Sequence, residues 1–146
     1  MLRLSTKGQY GVRAMYEIAR GKGPVNIRTI SERQEVSVPY LEQILNTLRR
    51  AGLIKSIKGP GGGYILTRPA KEISIGEILE ELEGPLAITS CLNPEEGCSR
   101  VDQCVAHLLW KGLRFQIEDF LRKVTLADLV EGTVLKYLKE EEALYG

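Results

Sequence analysis

The sequence contains no long apolar run and few thiol or imidazole side chains. Its 146 residues include three cysteines and one histidine. No segment approaches the roughly 18 consecutive apolar residues of a membrane span, and the first residues lack an apolar signal-peptide core. We therefore expect a cytoplasmic protein with no membrane partner.

Sequence motifs of common enzyme classes are also missing. The glycine-rich segment 59–63 lacks the Gly-Lys-Ser/Thr ending of a phosphate-binding loop, and a strand pattern follows it where a dinucleotide-binding motif requires a helix. No nucleophile and carboxylate are arranged around the single histidine in the sequence. We expect that the protein is not an enzyme.

Acidic residues are scarce in the first half of the chain. Residues 1–70 contain 12 basic and 4 acidic side chains, a net charge of +8, whereas residues 71–146 contain 8 basic and 15 acidic ones, a net charge of −7. A basic half fits a polyanionic partner such as nucleic acid. Charged residues also cluster on solvated surfaces without any such partner, so charge alone does not decide the function.

The first half does contain the pattern of a helix-turn-helix unit. Apolar positions at helical spacing predict a first helix that ends at Arg20, a second helix capped by Asn26 and a third capped by Ser37. The third helix is expected to end before Gly52. Its predicted buried face consists of Leu41, Ile44, Leu45 and Leu48. Two short helices joined by a tight turn are typical of DNA-binding proteins.

Two strand-like runs, 53–58 and 64–67, follow the third helix directly and are separated by the glycine-rich segment. A hairpin in this position is a wing, whose flexible tip can place backbone amides against phosphates or a minor groove. We predict that the outer side of the third helix and the wing bind DNA. The residues of this predicted surface are Ser37, Pro39, Tyr40, Glu42, Gln43, Arg50, Lys58 and Gly61.

A long amphipathic helix is predicted in the second half, after a connecting helix that Ser74 and Glu77 cap. Its apolar stripe comprises Val105, Leu109, Leu113, Ile117, Phe120 and Val124, widened by Leu108, Trp110 and Leu121. Such a stripe packs either on its own domain or on a second subunit. We favour a homodimer, because helix-turn-helix proteins usually read paired half-sites.

The three cysteines and the histidine fall close together, at Cys91, Cys98, Cys104 and His107. Residues three apart share a helix face, so Cys104 and His107 can reach one metal centre, although a lone histidine is more often structural. Three thiolates and an imidazole suit zinc or an iron-sulfur cluster. The lack of a Cys-x-x-Cys knuckle favours the cluster without excluding zinc.

Several segments together resemble the IscR group of transcription regulators over nearly the whole chain. They are LSTKGQY (4–10), ISERQ (30–34), YLEQ (40–43), LRRAGL (48–53), GPGGGY (59–64) and CVAHLLW (104–110). The resemblance implies a [2Fe-2S] cluster, delivered by the iron-sulfur cluster assembly machinery, that controls which promoters a repressor or activator binds. The implied cluster ligands are Cys91, Cys98, Cys104 and His107. The implied targets commonly include the genes for cluster assembly.

The chain departs from related patterns in a few places. Six residues separate Cys91 from Cys98, where the IscR pattern has five, and Pro39 stands where a small polar residue is common. Related nitric-oxide sensors use an acidic ligand near the N-terminus, but residues 1–16 contain no Asp or Glu. Relatives that regulate cysteine metabolism generally lack the three cysteines.

Three other functions remain open at the level of sequence. They are a zinc-stabilised DNA-binding module, a thiol redox sensor and a ferredoxin-like electron carrier, the last of which would not require DNA affinity.

We expect a mainly α-helical fold with a small β-hairpin, in which a winged helix-turn-helix domain precedes a long dimerisation helix. The predicted divisions are the DNA-binding domain (1–70), a connecting helix (71–90), a cluster-binding loop (91–107), the dimerisation helix (104–124), and a short helix with a solvated tail (125–146).

Overall fold

A computed structural model describes residues 3–138 of the chain. The helices in this range are α1 Thr6–Arg20, α2 Ile27–Gln34, α3 Val38–Arg50, α4 Ile75–Glu83, α5 Val105–Lys123 and α6 Leu126–Glu131. The strands β1 Ile54–Ile57 and β2 Gly63–Leu66 form one antiparallel hairpin, and short 3-10 helices lie at Ala70–Glu72, Ser90–Leu92 and Thr133–Tyr137. The predicted mainly α-helical class with a small hairpin is confirmed. The tail predicted within residues 139–146 lies outside the described residues.

The helices begin at the capping residues that the sequence indicated. The side chains of Asn26 and Ser37 accept hydrogen bonds from backbone N–H groups in the first turns of α2 and α3. Ser74 and Glu77 form a reciprocal capping box at the start of α4. Each cap satisfies N–H groups that have no partner within the helix, which is why these polar residues fix the helix starts.

The main core lies between α1, α3 and α4. The predicted inner face of α3 is fully buried, with Leu41, Ile44, Leu45 and Leu48 all at 0% exposure. It packs with side chains from the neighbouring helices, namely Ala14, Met15, Ile18, Ile30, Ile78 and Leu126. A glycine at position 11 lets α1 approach α4 closely, because any Cβ there would collide with Leu82. The connecting helix α4 is therefore part of the core of the winged domain.

The chain returns to this core after α5. The N–H of Ile75 donates to the carbonyl of Val124 (2.9 Å), and the N–H of Leu126 donates to the carbonyl of Ile73 (3.0 Å). These bonds join the starts of α4 and α6. The sequence pattern assigned Val124 to the stripe of the long helix, but Val124 follows the last residue of α5 and is only 3% exposed. It belongs to the core because this bridge holds it there.

Helix α5 differs from the others because none of its residues is buried. Leu121, near its C-terminal end, packs against the core at Gly76 of α4. The exposed large apolar side chains of α5 are Val105 (83%), Leu108 (68%), Leu109 (62%), Phe115 (58%) and Phe120 (43%). The N-terminal part of the apolar stripe predicted from the sequence is thus mostly exposed within residues 3–138, whereas its C-terminal part packs against the core. No helix in this range is long and apolar enough to cross a membrane.

Candidate DNA-binding surface and cysteine loop

The turn between α2 and α3 has a defined and compact geometry. Glu35 adopts the left-handed conformation (φ 54°), which is uncommon for a residue with a side chain. The hydroxyl of Ser31 donates to the carbonyl of Val36 (2.6 Å), and the N–H of Val36 donates back to the carbonyl of Ser31 (3.2 Å). Val36 itself is buried. These contacts fix the angle at which α3 leaves α2.

The outer face of α3 is accessible and polar. Its exposed residues are Pro39, Glu42, Gln43, Arg49 and Arg50, while Tyr40, Asn46 and Thr47 are half-buried. Across the described range, no ion pair or hydrogen bond engages the side chains of Glu42, Gln43 or Arg50; the hydroxyl of Thr47 donates only to the backbone carbonyl of Gln43. These three predicted DNA-binding side chains are therefore available to a ligand.

Two of the predicted DNA-binding residues on this face also have structural contacts. The hydroxyl of Ser37 accepts a hydrogen bond from the N–H of Tyr40 (3.4 Å) and so caps α3. The ring of Tyr40 packs edge-on against that of Tyr10 in α1, with 5.9 Å between the ring centres. Both residues help to place the start of α3.

The wing is a short hairpin attached to the segment before α2. Ile54 pairs with Leu66 at its base. Val25 and Tyr64 exchange two backbone hydrogen bonds, of 3.0 and 2.8 Å. This extra bridge fixes the base of the wing beside the helix-turn-helix unit.

The tip of the wing contains Pro60 among glycines and is closed by one backbone hydrogen bond. The N–H of Gly62 donates to the carbonyl of Gly59 (2.9 Å), and Gly59 and Gly61 have positive φ values of 95° and 74°. Lys58, which precedes the tip, and Lys55 in β1 are both exposed. The tip therefore presents backbone amides next to the cation of Lys58, and Lys55 lies nearer the base of the hairpin.

A solvent-accessible contact links the end of the wing to α4. Arg68 donates to a carboxylate oxygen of Glu77 (2.8 Å) and to the carbonyl of Glu72 (3.0 Å). Burial raises the pKa of Glu77, but hydrogen bonds from Arg68 and from the N–H of Ser74 outweigh it, so the pKa lies below its ordinary value. The ionised carboxylate thus holds the wing and the capping box of α4 together.

The cysteines lie on the segment that leads into α5. Cys91 is half-buried in a 3-10 helix, and its Sγ lies 3.0 Å from the hydroxyl of Thr89. Cys98 is exposed, whereas Cys104 is half-buried and occupies the N-cap position of α5. Buried Leu92 anchors the first part of this segment. The loop between Cys91 and Cys104 therefore has half-buried ends, and the exposed Cys98 lies between them.

His107 lies in the first turn of α5, directly beside Cys104. Its backbone N–H donates to the carbonyl of Cys104 (3.1 Å). Its Nδ1 atom is buried and has no hydrogen-bond partner among the described residues. Between residues 3 and 138, no three His, Cys, Asp or Glu side chains lie close enough together to hold one metal ion. The set of four cluster ligands stays a prediction.

The sequence and fold match a known family of regulators. A model for Rrf2, described as an iron-dependent transcriptional regulator, matches residues 4–132 and so covers the winged domain, the cysteine loop and α5. The chain belongs to the Rrf2 family.

Relatives within the Rrf2 family are similar over most of this chain. The HTH-type transcriptional regulator IscR of Sodalis glossinidius is 44% identical over 131 residues, which are 88% of this chain and 79% of that protein. A putative HTH-type transcriptional regulator of Haemophilus influenzae is also 44% identical, over 88% of this chain and 87% of its own. The resemblance to the IscR group is confirmed, and this Rrf2 protein is an HTH-type transcriptional regulator.

Solved structures of two Rrf2 regulators share the fold to the same degree. The structure of T. potens IscR has a TM-score of 0.75 and 39% identity, and covers 95% of this chain and 93% of that one. CymR (YrzC), the global cysteine regulator of B. subtilis, also has a TM-score of 0.75 and 39% identity, over 90% and 98% of the two chains. The similarity of fold therefore does not distinguish an IscR-like from a CymR-like function for this chain. The residues of the candidate site must make that distinction.

Two cations of the candidate DNA-binding surface, formed by α3 and the wing, were not predicted from the sequence. Arg49 lies beside Arg50 at the end of α3, where its guanidinium donates to the side-chain oxygen of Asn46 (2.7 Å). Lys55 lies in β1, and both residues are exposed. A strand pattern in which Lys55 follows apolar Ile54 would have indicated it, because successive side chains of a strand point to opposite faces.

Proposed function

We propose that this Rrf2 protein is a homodimeric, sequence-specific DNA-binding regulator whose choice of promoters is controlled by a [2Fe-2S] cluster. The genes it regulates include those for iron-sulfur cluster assembly, whose machinery supplies the cluster. The proposed ligands are Cys91, Cys98, Cys104 and His107. The observation that carries this proposal is the position of Cys104 and His107 at the start of α5, beside the exposed apolar end of that helix.

Recognition of DNA is assigned to α3, with the wing as a second contact. The exposed amide of Gln43 and guanidinium of Arg50 are side chains that make paired hydrogen bonds with base edges in a major groove. Lys58 and the backbone amides at Gly61 suit phosphates, which fix position without reading sequence. Glu42 accepts hydrogen bonds only, so it suits the amino group of a base and repels phosphates.

A second copy of the chain is proposed to cover the apolar face of α5. Val105, Leu108 and Leu109 are each more than 60% exposed, although leucine and valine gain roughly 1.5–3 kcal/mol when fully buried. A two-fold axis through this face would bring the same residues together from both subunits. The two recognition helices would then read half-sites about one helical turn apart or a multiple of it.

The donor set is chemically suited to an iron-sulfur cluster. Such clusters are held by thiolates, and imidazole nitrogens replace two of them in one known class. Because Nδ1 of His107 is buried without a hydrogen bond, a bond to iron there would break no existing contact. Cys98 is exposed on a loop, so it can move toward Cys91 and Cys104 without disrupting the core.

The ligands would connect the cysteine loop to the start of the dimerisation helix. When bound, the cluster supplies a redox-active and oxidation-sensitive centre. Cys104 and His107 then hold the first turn of α5 in place, and Cys91 holds the loop next to Leu92. Since α5 lies at the proposed dimer interface, the state of the loop would alter the relative placement of the two α3 helices.

The cluster is tested on anaerobically purified protein and variants of its loop. Wild-type protein is expected to be coloured, with iron and sulfide near stoichiometric amounts. Cys91→Ala, Cys98→Ala and Cys104→Ala should remove the cluster but leave a folded dimer, and the matched loop variant Ser99→Ala should retain it. Colourless protein with bound zinc would instead indicate a zinc-stabilised DNA-binding module. Reversible thiol oxidation without metal would indicate a thiol redox sensor.

The histidine ligand has its own test. His107→Cys should keep the cluster with a lower reduction potential and an altered visible spectrum, because a thiolate adds negative charge to the site. His107→Ala should make the cluster unstable or admit another ligand. A wild-type spectrum, potential and lifetime in His107→Ala would assign the histidine a structural role only.

DNA recognition is tested with operators that the wild-type protein selects from random duplexes. Gln43→Ala should relax base preference by about 1–3 kcal/mol, whereas Lys58→Ala should weaken binding to all sequences alike. Equal losses on selected and random DNA for Gln43→Ala would remove that residue from the recognition surface. Protection of one unpaired half-site by a monomer would reject the proposed dimer.

A further inference from the structure

Arg13 of α1 makes an unusual set of contacts with the helix-turn-helix unit. Its Nε–H donates to the side-chain oxygen of Gln34 (2.7 Å), and its Nη2 donates to the backbone carbonyl of the same residue. The guanidinium also lies over the ring of Tyr10, 4.8 Å from its centre. One exposed side chain thus bonds to the turn and stacks on its own helix.

Arg13 contacts Gln34 at the C-terminal end of α2, where backbone carbonyls lack hydrogen-bond donors within the helix. Gln34 is the last residue of α2, and carbonyls at a helix C-terminus have no N–H partner within the helix. The next residue, Glu35, has the left-handed conformation that starts the turn. Arg13 of α1 therefore supplies a hydrogen-bond donor to the C-terminal end of α2.

A second arm of the same network reaches the entry of α3. Tyr10, on which Arg13 stacks, contacts the edge of the ring of Tyr40 with an interplanar angle of 89°. Tyr40 lies in the first turn of α3, two residues after its start at Val38. Arg13 and Tyr10 together thus contact both sides of the turn between the two helices.

We propose that Arg13 is a positioning residue for DNA recognition, which sets the orientation of α3 through Gln34 and through the Tyr10–Tyr40 contact. This role rests on the proposed assignment of α3 to base reading. Arg13 is exposed, and exposed charged contacts add little to stability because water competes for them. Its effect should therefore fall on the precision of recognition, since base contacts require hydrogen bonds of defined geometry.

The rival explanation is that Arg13 binds a DNA phosphate directly. A phosphate contact requires only the charge, so Arg13→Lys should preserve it and Arg13→Ala should lower the salt dependence by about one phosphate contact. The positioning role requires the planar guanidinium that bonds in parallel and stacks on a ring, which lysine cannot replace. The two explanations therefore predict opposite results for Arg13→Lys.

The experiment measures binding to an operator selected by the wild-type protein and to a scrambled duplex of equal length. We expect Arg13→Lys to lower the ratio of the two affinities by about tenfold, with an unchanged salt slope on the scrambled duplex. Gln34→Leu, which leaves the charge unchanged and removes one hydrogen bond, should give a smaller loss of the same kind. Arg28→Lys makes the same exchange at an exposed arginine of α2 and should leave the ratio unchanged.

Variants of Tyr10 test the second arm. Tyr10→Phe keeps the ring and should behave as wild type, whereas Tyr10→Leu removes the stacking surface and should lower the specificity ratio without a comparable loss on scrambled DNA. Thermal unfolding of each variant checks that the fold is intact. Loss of specificity in Arg13→Lys with a melting temperature close to that of the wild type would support positioning.

Several outcomes overturn the role and are distinguishable from failure of the proposed function. A wild-type specificity ratio in both Arg13→Lys and Gln34→Leu would remove the positioning role while leaving DNA recognition by α3 intact. Full rescue by lysine with a reduced salt slope in Arg13→Ala would identify a phosphate contact instead. Failure of the wild-type protein to select any sequence would reject the proposed function and the positioning role together.

Discussion

The winged domain and helix α5 use the same residue type in opposite ways. The leucines of α3 are completely buried, and every apolar position of its inner face has neighbours from other helices. In α5, Leu108 and Leu109 are mostly exposed, and no residue of the helix is buried. The first region is complete within one chain, whereas α5 carries apolar surface that the described part of its own chain does not cover.

This difference distinguishes residues that stabilise the folded monomer from residues that we expect to stabilise the dimer. Substitutions in the winged domain should change the stability of the chain at any protein concentration. Substitutions on the exposed face of α5 should act on association, so their effects should depend on concentration. Matched variants in the two regions can test this separation.

The largest effect is expected from shortening a buried leucine of α3. Leu45→Ala should lower the free energy of unfolding by about 2–5 kcal/mol, because a cavity remains where the side chain was packed. Urea unfolding followed by circular dichroism, at two protein concentrations, measures it. Leu109→Ala is the matched exchange on α5, and its effect should shrink as the protein is diluted. Equal, concentration-independent losses for the two variants would show that α5 belongs to the core of the monomer.

A charge on the exposed face of α5 should break the proposed dimer. Leu109→Glu is expected to raise the dimer dissociation constant by about 100-fold or more, since the two-fold axis repeats each substitution. Analytical ultracentrifugation measures the dissociation constant, and circular dichroism checks the helices. The control is Gln116→Glu, which adds the same charge at an exposed polar position of α5. A dimer that survives Leu109→Glu would place the interface on another surface.

The wing tip should respond more weakly, and without unfolding the domain. A Cβ at position 62 would lie 2.8 Å from the carbonyl oxygen of Gly59 and still closer to that of Ile57. Gly62→Ala should therefore distort the tip and weaken binding to all DNA sequences by about tenfold. The control is Gly23→Ala, because the exposed position 23 has open space around it. Titration of selected and scrambled duplexes measures both, and unchanged affinity in Gly62→Ala would exclude the tip from the DNA contact.

The parts of the fold that the sequence predicted are those fixed by neighbours along the chain. Caps at Asn26, Ser37 and Ser74 mark helix starts because each bonds an N–H only three residues away. The inner face of α3 follows from helical spacing in the same way. Local patterns therefore sufficed for the winged domain.

The parts that the sequence did not predict depend on contacts between distant residues. Arg13 and Gln34 are 21 positions apart, so no local pattern joins them. Val124 continued the apolar spacing of α5, but its pairing with Ile75 places it in the core. The candidate DNA-binding surface was predicted from outward positions on α3, whereas the network that orients α3 required the three-dimensional structure.

The smallest predicted effect concerns the capping box of α6, where the chain rejoins the first region. Asp128 accepts hydrogen bonds from the hydroxyl of Thr133 (2.6 Å) and from the N–H of Thr125 (3.0 Å), and Lys136 lies 3.5 Å away. The bond from Thr133, followed by that from Thr125, lowers the pKa of Asp128 to about 2, against the opposing effect of burial. The carboxylate should thus stay ionised in moderately acidic solution.

A pKa lowered in the folded state stabilises the protein above the ordinary pKa of aspartate, about 4, and this contribution disappears as the pH falls through about 2. The difference in unfolding free energy between wild type and Asp128→Asn should therefore be constant from about pH 7 to 5 and shrink below about pH 4. Glu131→Gln, at an exposed position of the same helix, serves as the control. A carboxyl carbon of Asp128 that titrates near pH 4 by NMR would contradict the ionised cap. The return of the chain to the winged domain would then rest on the buried side chains of Val124 and Leu126 and on their backbone hydrogen bonds to α4 and the segment before it.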